Sequence, residues 1–218
     1  MKTRPVLVVF LLLVMFFCDS VLLYAQGMSP IQLLPPKTEG GKPLMEALKQ
    51  RRSLRNFSPK ELPLQVLSDL LWAAAGINRP DTGGRTAPTA MDMQEIDIYV
   101  AKSDGLYLYD PGANALIPVL AKDVRSFTGE QSFVKEAPIN LIYVADHRKM
   151  KNLTGEQKNF YAATDTGFIS ENVYLFCASQ GLATVVRGWF NKLSLTKALK
   201  LRPSQSIILA QTVGYPKD

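Results

Sequence analysis

The segment from Glu156 to Gln180 constrains the fold most, because its pattern predicts one long helix that is apolar on most of its sides. Large apolar residues are spread around this helix: Phe160, Tyr161, Phe168, Ile169, Val173, Leu175, Phe176 and Cys177. Gly181 follows, and helices commonly end at a glycine. Such a helix must be covered on several faces, and in a chain of 218 residues a subunit interface is the natural cover.

The other apolar patterns predict helices and strands that are not regularly interleaved. Further helices are predicted over residues 44–48, 64–74, 119–127 and 194–201. Strands are predicted over residues 96–100, 106–109, 139–144, 183–186 and 207–213. Because the strands do not alternate with single helices, the order favours an α+β fold over a doubly wound parallel sheet.

The first 25 residues are typical of a secretory signal peptide. Lys2 and Arg4 precede an apolar run from Val6 to Phe17, and we expect cleavage near Ala25. The run is shorter than the roughly 20 residues that span a membrane, although an uncleaved anchor extending through Leu23 is the alternative. The prediction is an exported, periplasmic protein with no membrane span after cleavage.

We expect a flexible N-terminal arm over residues 26–40, which are proline-rich and lack periodicity, and one globular domain over residues 41–218. Cys18 would leave with the signal peptide, so Cys177 remains alone and no intramolecular disulfide can form. Loss of the signal lowers the formal charge of +6 by one, to +5. These charges are scattered and no nucleic-acid-binding signature is present, so we expect no nucleic acid partner.

Side chains suited to acid–base or metal chemistry are scarce. His147 is the only histidine, which is too few for a histidine-rich metal site. Gly83 and Gly84 lack the spacing of a dinucleotide or phosphate-binding loop. We therefore assign no catalytic side chain and no metal, and infer that the chain either binds a ligand or depends on a cofactor.

The stretch RRSLRNF places Arg51, Arg52, Ser53 and Arg55 together at the end of a short helical pattern. Guanidinium groups suit phosphate because each can donate two hydrogen bonds at once and stays charged. If the helix continued, Arg51 and Arg55 would share one face. Taken alone, the stretch better fits a solvated helix end whose cations complement the helix dipole.

Six segments, taken in order, closely resemble the nitroreductase family of FMN-dependent oxidoreductases, especially its SagB-type, azoline-oxidase-like branch. They are RRSLRNF, LLWAAAGINRP, RTAPTAMDMQEIDIYV, EAPINLIYVAD, DTGFISENVYLFCASQGLATVVRGW and LAQTVGYP. The resemblance runs from about Leu44 to Pro216. It implies an α+β fold with a central, mainly antiparallel sheet flanked by helices, and an interlocked homodimer with FMN at its interface.

The resemblance also implies which residues hold FMN. The phosphate and ribityl chain would be bound by Arg51, Arg52, Ser53, Arg55 and Lys217. The isoalloxazine ring would be lined from the other subunit by Pro88, Thr89 and Ala90, with Met91 and Gln94 close by. The ring edge would be passed by Val186, Arg187 and Gly188, where a backbone N–H can donate to flavin N5. Asp92 and Arg187 depart from residues common in the family, which leaves substrate and donor preference open.

The implied activity is an oxidoreductase that passes electrons through flavin N5 between an organic or nicotinamide donor and a small acceptor. In this role Arg187 would stabilise negative charge on reduced flavin or hold an anionic substrate. Nicotinamide is not expected outside the cytoplasm, so the oxidase-like branch, with a quinone or oxygen as acceptor, suits an exported protein. The alternative is a non-catalytic flavin- or ligand-binding homodimer of the same fold.

Overall fold

The computed structural model describes residues 28–217, so the predicted signal peptide lies outside the described residues. The strands of this part are β1 (Ile31–Gln32), β2 (Ile77–Arg79), β3 (Gly84–Arg85), β4 (Ile96–Ala101), β5 (Leu106–Asp110), β6 (Ala115–Leu120), β7 (Ile139–Asp146), β8 (Ala183–Arg187) and β9 (Gln205–Gly214). The helices are α1 (Leu44–Gln50), α2 (Leu64–Ala75), α3 (Phe133–Glu136), α4 (Gly155–Gln180) and α5 (Lys192–Ala198), with 3-10 turns at Ala90–Asp92 and Arg125–Thr128.

A seven-stranded sheet forms the centre of the fold, in the order β1-β6-β5-β4-β7-β9-β8. Every neighbouring pair in it is antiparallel. All eight residues of β7 are buried, because the strand is central and both faces of the sheet are covered. The prediction of an α+β fold with a mainly antiparallel sheet between helices is confirmed.

Alternating residues of β7 divide the core between the two faces of the sheet. Leu141 and Tyr143 pack in the cluster that holds the buried faces of α2 and α4. Ile142 and Val144 pack in the cluster that contains the α5 residue Leu195. The helices thus cover both faces. The free thiol of Cys177 lies on the buried face of α4, where burial raises its pKa, as expected of a core cysteine.

Helix α4 begins and ends as its sequence predicts. Thr154 and Gln157 form a reciprocal capping box at its start. Gly181 closes it in the left-handed conformation, with φ of 70°. Phe160 and Phe168 on this helix stay 65% and 44% exposed, so the described chain leaves part of its apolar surface uncovered. No helix within residues 28–217 combines the length and the apolar character needed to cross a membrane.

Two predictions of local structure are wrong. Residues 119–127 do not form a helix, because Leu120 ends a strand that pairs with β5 and a 3-10 turn follows at Arg125–Thr128. Regular structure also begins before Gly41, within the predicted arm. Ile31 and Gln32 pair with β6 at the edge of the sheet, and Leu33 is buried. The short apolar run therefore adds an edge strand despite the surrounding prolines.

Candidate functional site

The RRSLRNF stretch runs along the outer edge of the central sheet. Helix α1 ends at Gln50 and Arg51 is extended, with ψ of 123°, so the helix does not continue through the stretch and Arg51 and Arg55 share no helical face. The Leu54 N–H donates to the Thr184 carbonyl on the edge strand β8 at 3.0 Å. Phe57 pairs with Pro216 near the chain end. Pairing with free edge groups of β8 thus replaces further helix.

Tyr174 connects this stretch to α4 and β8. Its hydroxyl lies 2.8 Å from the Ser53 hydroxyl and accepts a hydrogen bond from the Val186 N–H at 2.9 Å. The Arg51 guanidinium lies over the Tyr174 ring, 5.3 Å from the ring centre. Tyr174 therefore fixes the positions of Ser53 and Arg51, two residues predicted to bind FMN. It also accepts the hydrogen bond of the Val186 N–H, which is then not free to donate to a ligand.

A cavity of about 460 Å³, here called the basic cavity, lies beside Tyr174. Its basic lining side chains are Lys42, Lys49, Arg51 and Arg52, and no carboxylate of residues 28–217 lines it. Within the described chain, Arg52 and Arg55 form no ion pair or hydrogen bond. Four basic side chains around a cavity that no described carboxylate lines favour an anionic ligand at this place.

Lys217 lies next to the same stretch. Its N–H donates to the Asn56 carbonyl at 3.2 Å, and the Asn56 amide donates back to the Lys217 carbonyl at 3.2 Å. The side chain of Lys217 is exposed. The structure thus brings Arg51, Arg52, Ser53 and Lys217 to one edge of the molecule.

The second predicted group, residues 88–94, lies at a different place and is held by α4. Asp165 accepts hydrogen bonds from the Ala90 N–H at 2.8 Å and from the Thr89 hydroxyl at 2.9 Å. Three non-glycine residues here have left-handed backbone: Met91, Asp92 and Gln94. Such strain persists only where surrounding contacts impose it and is concentrated at functional sites. Pro88 and Met91 are exposed.

The side chain and backbone of Gln94 form hydrogen bonds within and beside this segment. Its side-chain oxygen accepts from Arg85 Nε at 2.9 Å, and its amide nitrogen donates to Gly83 and Asp92. Its N–H donates to the Thr89 hydroxyl at 3.1 Å. The Gln94 side chain thus stabilises the shape of the segment.

Glu95 and Asp165 form a buried pair of carboxyl groups behind this segment. Glu95 is fully buried and Asp165 is almost fully buried. The Thr89 hydroxyl lies 3.2 Å from Glu95 Oε2 and 2.9 Å from Asp165 Oδ2. Burial raises the pKa of Glu95, and the neighbouring Asp165 raises it further. One Glu95 oxygen has no hydrogen-bond partner in the described chain. This geometry favours a neutral Glu95 carboxyl.

The two predicted groups are separated along α4. Ser53 bonds to Tyr174, whereas Thr89 bonds to Asp165, nine residues earlier in the helix. That spacing corresponds to about 14 Å along the helix axis at roughly 1.5 Å per residue. The phosphate-end residues and the ring-end residues therefore do not meet within one chain.

Arg187 is not placed as predicted, because its side chain turns into the interior. It donates from Nε and Nη2 to the Thr212 hydroxyl at 3.1 and 2.8 Å, and from Nη2 to Asn140 Oδ1 at 2.8 Å. It also donates to the Thr128 carbonyl. No carboxylate pairs with it in residues 28–217, and burial lowers its pKa to about 10. The expectation that this guanidinium contacts flavin or substrate is therefore wrong.

Gly188 follows Arg187 and is exposed. Among the described residues its N–H has no acceptor. The neighbouring Val186 N–H already donates to Tyr174. Of the backbone groups predicted at the ring edge, the Gly188 N–H is the one that remains available.

The sequence prediction missed Tyr174, Glu95 and Asp165. Tyr174 was not singled out, because one hydroxyl in a long helix does not show which residues it contacts. Asp165 gave a clearer signal, since an acidic residue in an otherwise apolar helical stripe requires a hydrogen-bonding partner.

Comparisons with a family model, with known sequences and with solved structures all find nitroreductases. Residues 48–215 match the model of the nitroreductase family. The chain is 31% identical over 169 residues to a candidate nitroreductase of Methanocaldococcus jannaschii, covering 73% of this chain and 85% of that protein. The crystal structure of a candidate nitroreductase from Ralstonia eutropha is 44% identical, with a TM-score of 0.84, covering 88% of this chain and 91% of that one.

A more distant likeness concerns the fold alone. The NADPH:FMN oxidoreductase of Vibrio harveyi, solved in complex with NAD+, has a TM-score of 0.61 at 16% identity. The match covers 80% of this chain and 69% of that one.

Proposed function

Because the chain belongs to the nitroreductase family of oxidoreductases, we propose that it is an FMN-dependent enzyme whose flavin lies between two copies of the chain. The observation that carries this proposal is the basic cavity, where four cationic side chains converge without a lining carboxylate. When bound, FMN would supply the redox chemistry by accepting and releasing an electron pair at N5. The protein's share is binding, orientation and exclusion of water.

The donors at the basic cavity fit the phosphate end of FMN. Arg51 and Arg52 offer forked N–H donors, and Ser53 offers a hydroxyl already oriented by Tyr174. Arg55 and Lys217 add positive charge along the same edge of the sheet. These residues would hold the phosphate and the start of the ribityl chain.

The separation of the two predicted groups supports a site shared between two subunits. Pro88, Thr89, Ala90 and Met91 would line the flavin ring of the partner subunit, and the Gly188 N–H would face the ring edge. Surface composition supports the same assembly, because Leu44 and Met45 on α1 are 63% and 74% exposed. Exposed apolar residues on α1 and α4 mark an interaction surface.

We assign the electron donor to an organic compound and the acceptor to a quinone or oxygen, as in the oxidase-like branch. The support is the N-terminal sequence, since an exported protein would not meet nicotinamide cofactors. Cys177, the free cysteine among residues 28–217, is fully buried and cannot act as a nucleophile, which agrees with flavin chemistry. Purified protein mixed without air with NADH, NADPH and candidate organic donors tests this assignment through bleaching of the flavin.

The export proposal has its own test. Fractionation of the producing cells should recover the protein outside the cytoplasm, with a mass that corresponds to cleavage after Ala25. Recovery of the full-length chain from the membrane fraction would support the uncleaved anchor instead. Recovery of the full-length chain from the cytoplasm would contradict export.

A double substitution at the basic cavity tests the flavin site. Purified wild type should be yellow and should release FMN on denaturation. Arg51→Ala combined with Ser53→Ala should give a folded, colourless dimer, because it removes a phosphate cation and the hydroxyl bonded to Tyr174. The matched control, Lys197→Ala with Ser194→Ala, removes a cation and a hydroxyl from the exposed surface of α5 and should stay yellow.

The outcomes separate the alternatives. If wild type cannot be loaded with FMN, the proposal fails in both its enzymatic and its binding form. If the Arg51, Ser53 double variant retains FMN as tightly as wild type, the basic cavity is not the phosphate site. A yellow protein whose flavin no donor reduces would be the non-catalytic binding homodimer.

A further inference from the structure

A second cavity, of about 250 Å³, lies against the side of the 88–94 segment that faces the sheet. We call it the tyrosine cavity, after Tyr109 in its wall. Apolar side chains from the sheet and from α2 and α4 form much of its lining: Ala75, Ala87, Ile98, Leu108, Ile117 and Ile169. A cavity of this size and lining suits the apolar body of a small organic molecule.

The Tyr109 hydroxyl is an unmet hydrogen-bond donor in this wall. Tyr109 is only 5% exposed, and within residues 28–217 its hydroxyl has no hydrogen-bond partner. Tyr107, two residues earlier on β5, donates instead to Asp104 at 3.2 Å. Burial raises the pKa of Tyr109 to about 12, so the hydroxyl keeps its proton at neutral pH. A ligand acceptor in the cavity would therefore gain a hydrogen bond that the described chain does not supply.

Arg85 supplies a second donor to the same cavity. Its Nε and Nη1 groups donate to Gln94 Oε1 at 2.9 Å and to the Ala75 carbonyl at 3.0 Å. Its Nη2 group has no hydrogen-bond partner in the described chain, and no carboxylate there pairs with it. Burial lowers the pKa of Arg85, so an anion bound beside it would offset part of the desolvation cost.

The carboxylates that line the cavity already have donors of their own. Asp97 accepts from Lys149 at 2.8 Å, and Asp110 accepts from the N–H groups of a turn at 2.8 and 3.1 Å. Asp165 accepts from Ala90 and Thr89. Asp97 and Asp110 are each bonded through one oxygen. The donors that remain without a partner in the described chain are the Tyr109 hydroxyl and Arg85 Nη2, and a ligand that complements them must bring acceptors.

From these contacts we propose that the tyrosine cavity binds a small organic carboxylate with a compact apolar body, such as an aromatic acid. The carboxylate accepts hydrogen bonds from the Tyr109 hydroxyl and Arg85 Nη2, and the apolar body packs on the aliphatic lining. The site does not depend on the proposed flavin. Because Gln94 and Pro88 contribute to the wall, an occupant would contact the 88–94 segment directly.

Calorimetric titration of the purified protein with benzoate tests this site. Wild type should bind benzoate, and Tyr109→Phe should bind it at least about tenfold more weakly, because one hydrogen bond to a charged acceptor is lost. Tyr107→Phe is the matched control on the same strand and should bind benzoate as wild type does. Benzamide has the same size and shape but no charge, and it should bind more weakly than benzoate.

Arg85→Lys provides a second variant that keeps the charge but removes the forked donor. It should also weaken benzoate binding, and thermal unfolding of each variant without benzoate shows whether it is folded. The proposal is overturned if wild type fails to bind benzoate at millimolar concentration. It is equally overturned if folded Tyr109→Phe binds benzoate as tightly as wild type, or if benzamide binds as tightly as benzoate.

Discussion

The hydroxyl groups of Ser53 and Tyr174 lie 2.8 Å apart and join the arginine-rich stretch to the long helix α4. The Tyr174 hydroxyl also accepts a hydrogen bond from the Val186 N–H, and the Tyr174 ring packs under the Arg51 guanidinium. Three segments far apart in sequence therefore depend on one side chain. Loss of the Tyr174 hydroxyl should consequently disturb the residues of the basic cavity more than the packing of the core.

Tyr174→Phe is expected to weaken FMN binding by about tenfold while leaving the protein folded. The variant keeps the ring beneath Arg51 but removes the hydroxyl, so Ser53 loses its orientation and the Val186 N–H loses its acceptor. The loss of stability should be about 1–3 kcal/mol, the cost of one unsatisfied N–H. Fluorescence titration of the apoprotein with FMN and urea unfolding measure the two effects.

The control for this variant is Tyr161→Phe in the same helix. It removes a hydroxyl that has no hydrogen-bond partner among residues 28–217 and should change neither measurement. Unchanged FMN affinity in folded Tyr174→Phe would show that Ser53 does not need this contact.

Arg187→Met is expected to lower the free energy of unfolding by about 2–4 kcal/mol. The guanidinium satisfies the Thr128 carbonyl, the Asn140 side-chain oxygen and the Thr212 hydroxyl, all of them buried. Methionine fills much of the same volume but donates nothing. Urea unfolding at a fixed protein concentration measures the change.

Arg52→Met is the matched control, because Arg52 is exposed and has no partner among residues 28–217. Its stability should equal that of wild type. Equal stability of Arg187→Met and wild type would mean that the buried polar cluster contributes nothing.

Most of the fold could be predicted from periodicity and helix ends. The pattern of α4, with Gly181 behind it, gave the longest helix to within one residue. The buried strand β7 was equally clear from its apolar run. The failures lie where pairing between distant segments decides the structure: β1 and the end of β6 form because each completes the sheet.

The site was less predictable, since its residues act through contacts that sequence spacing does not show. Arg187 was assigned to the ligand, yet distant Thr128, Asn140 and Thr212 draw its side chain inward. Tyr174 was given no role, because its contacts with Ser53 and Val186 join segments that are far apart in sequence. A resemblance between segments can indicate which stretches approach a ligand, but the direction of each side chain depends on tertiary packing.

Asp146→Asn is expected to destabilise the protein by about 1–3 kcal/mol at pH 7 and to flatten its response to acid. Asp146 is buried and accepts hydrogen bonds from Arg148, at 2.6 Å, and Arg202, at 2.9 Å. The bonds from Arg148 lower the pKa of Asp146 from 3.8 to about 2. The stabilisation is therefore complete above pH 3.8 and is lost as the pH falls towards 2.

The difference in unfolding free energy between wild type and Asp146→Asn should thus shrink between pH 5 and about pH 2. Asp81→Asn is the control, because Asp81 is exposed and forms no ion pair or hydrogen bond among residues 28–217. A difference that stays constant on acidification would contradict the role of Asp146.

The unfolding free energy of wild type should fall as the pH rises, and in Glu95→Gln this fall should be absent. Burial and the adjacent Asp165 carboxyl raise the pKa of Glu95 above 4.5 in the folded protein. The fold therefore favours the protonated form, so its stabilisation is full below pH 4.5 and is lost as the pH rises through the folded value. Wild type should lose up to about 1.4 kcal/mol per pH unit in that range, whereas glutamine mimics the neutral acid and cannot ionise.

Urea unfolding from pH 4 to pH 9 measures the unfolding free energy of wild type and of Glu95→Gln. Glu130→Gln is the control, because Glu130 is exposed and this variant should follow wild type. Identical pH profiles for Glu95→Gln and wild type would show that Glu95 is already ionised beside Asp165.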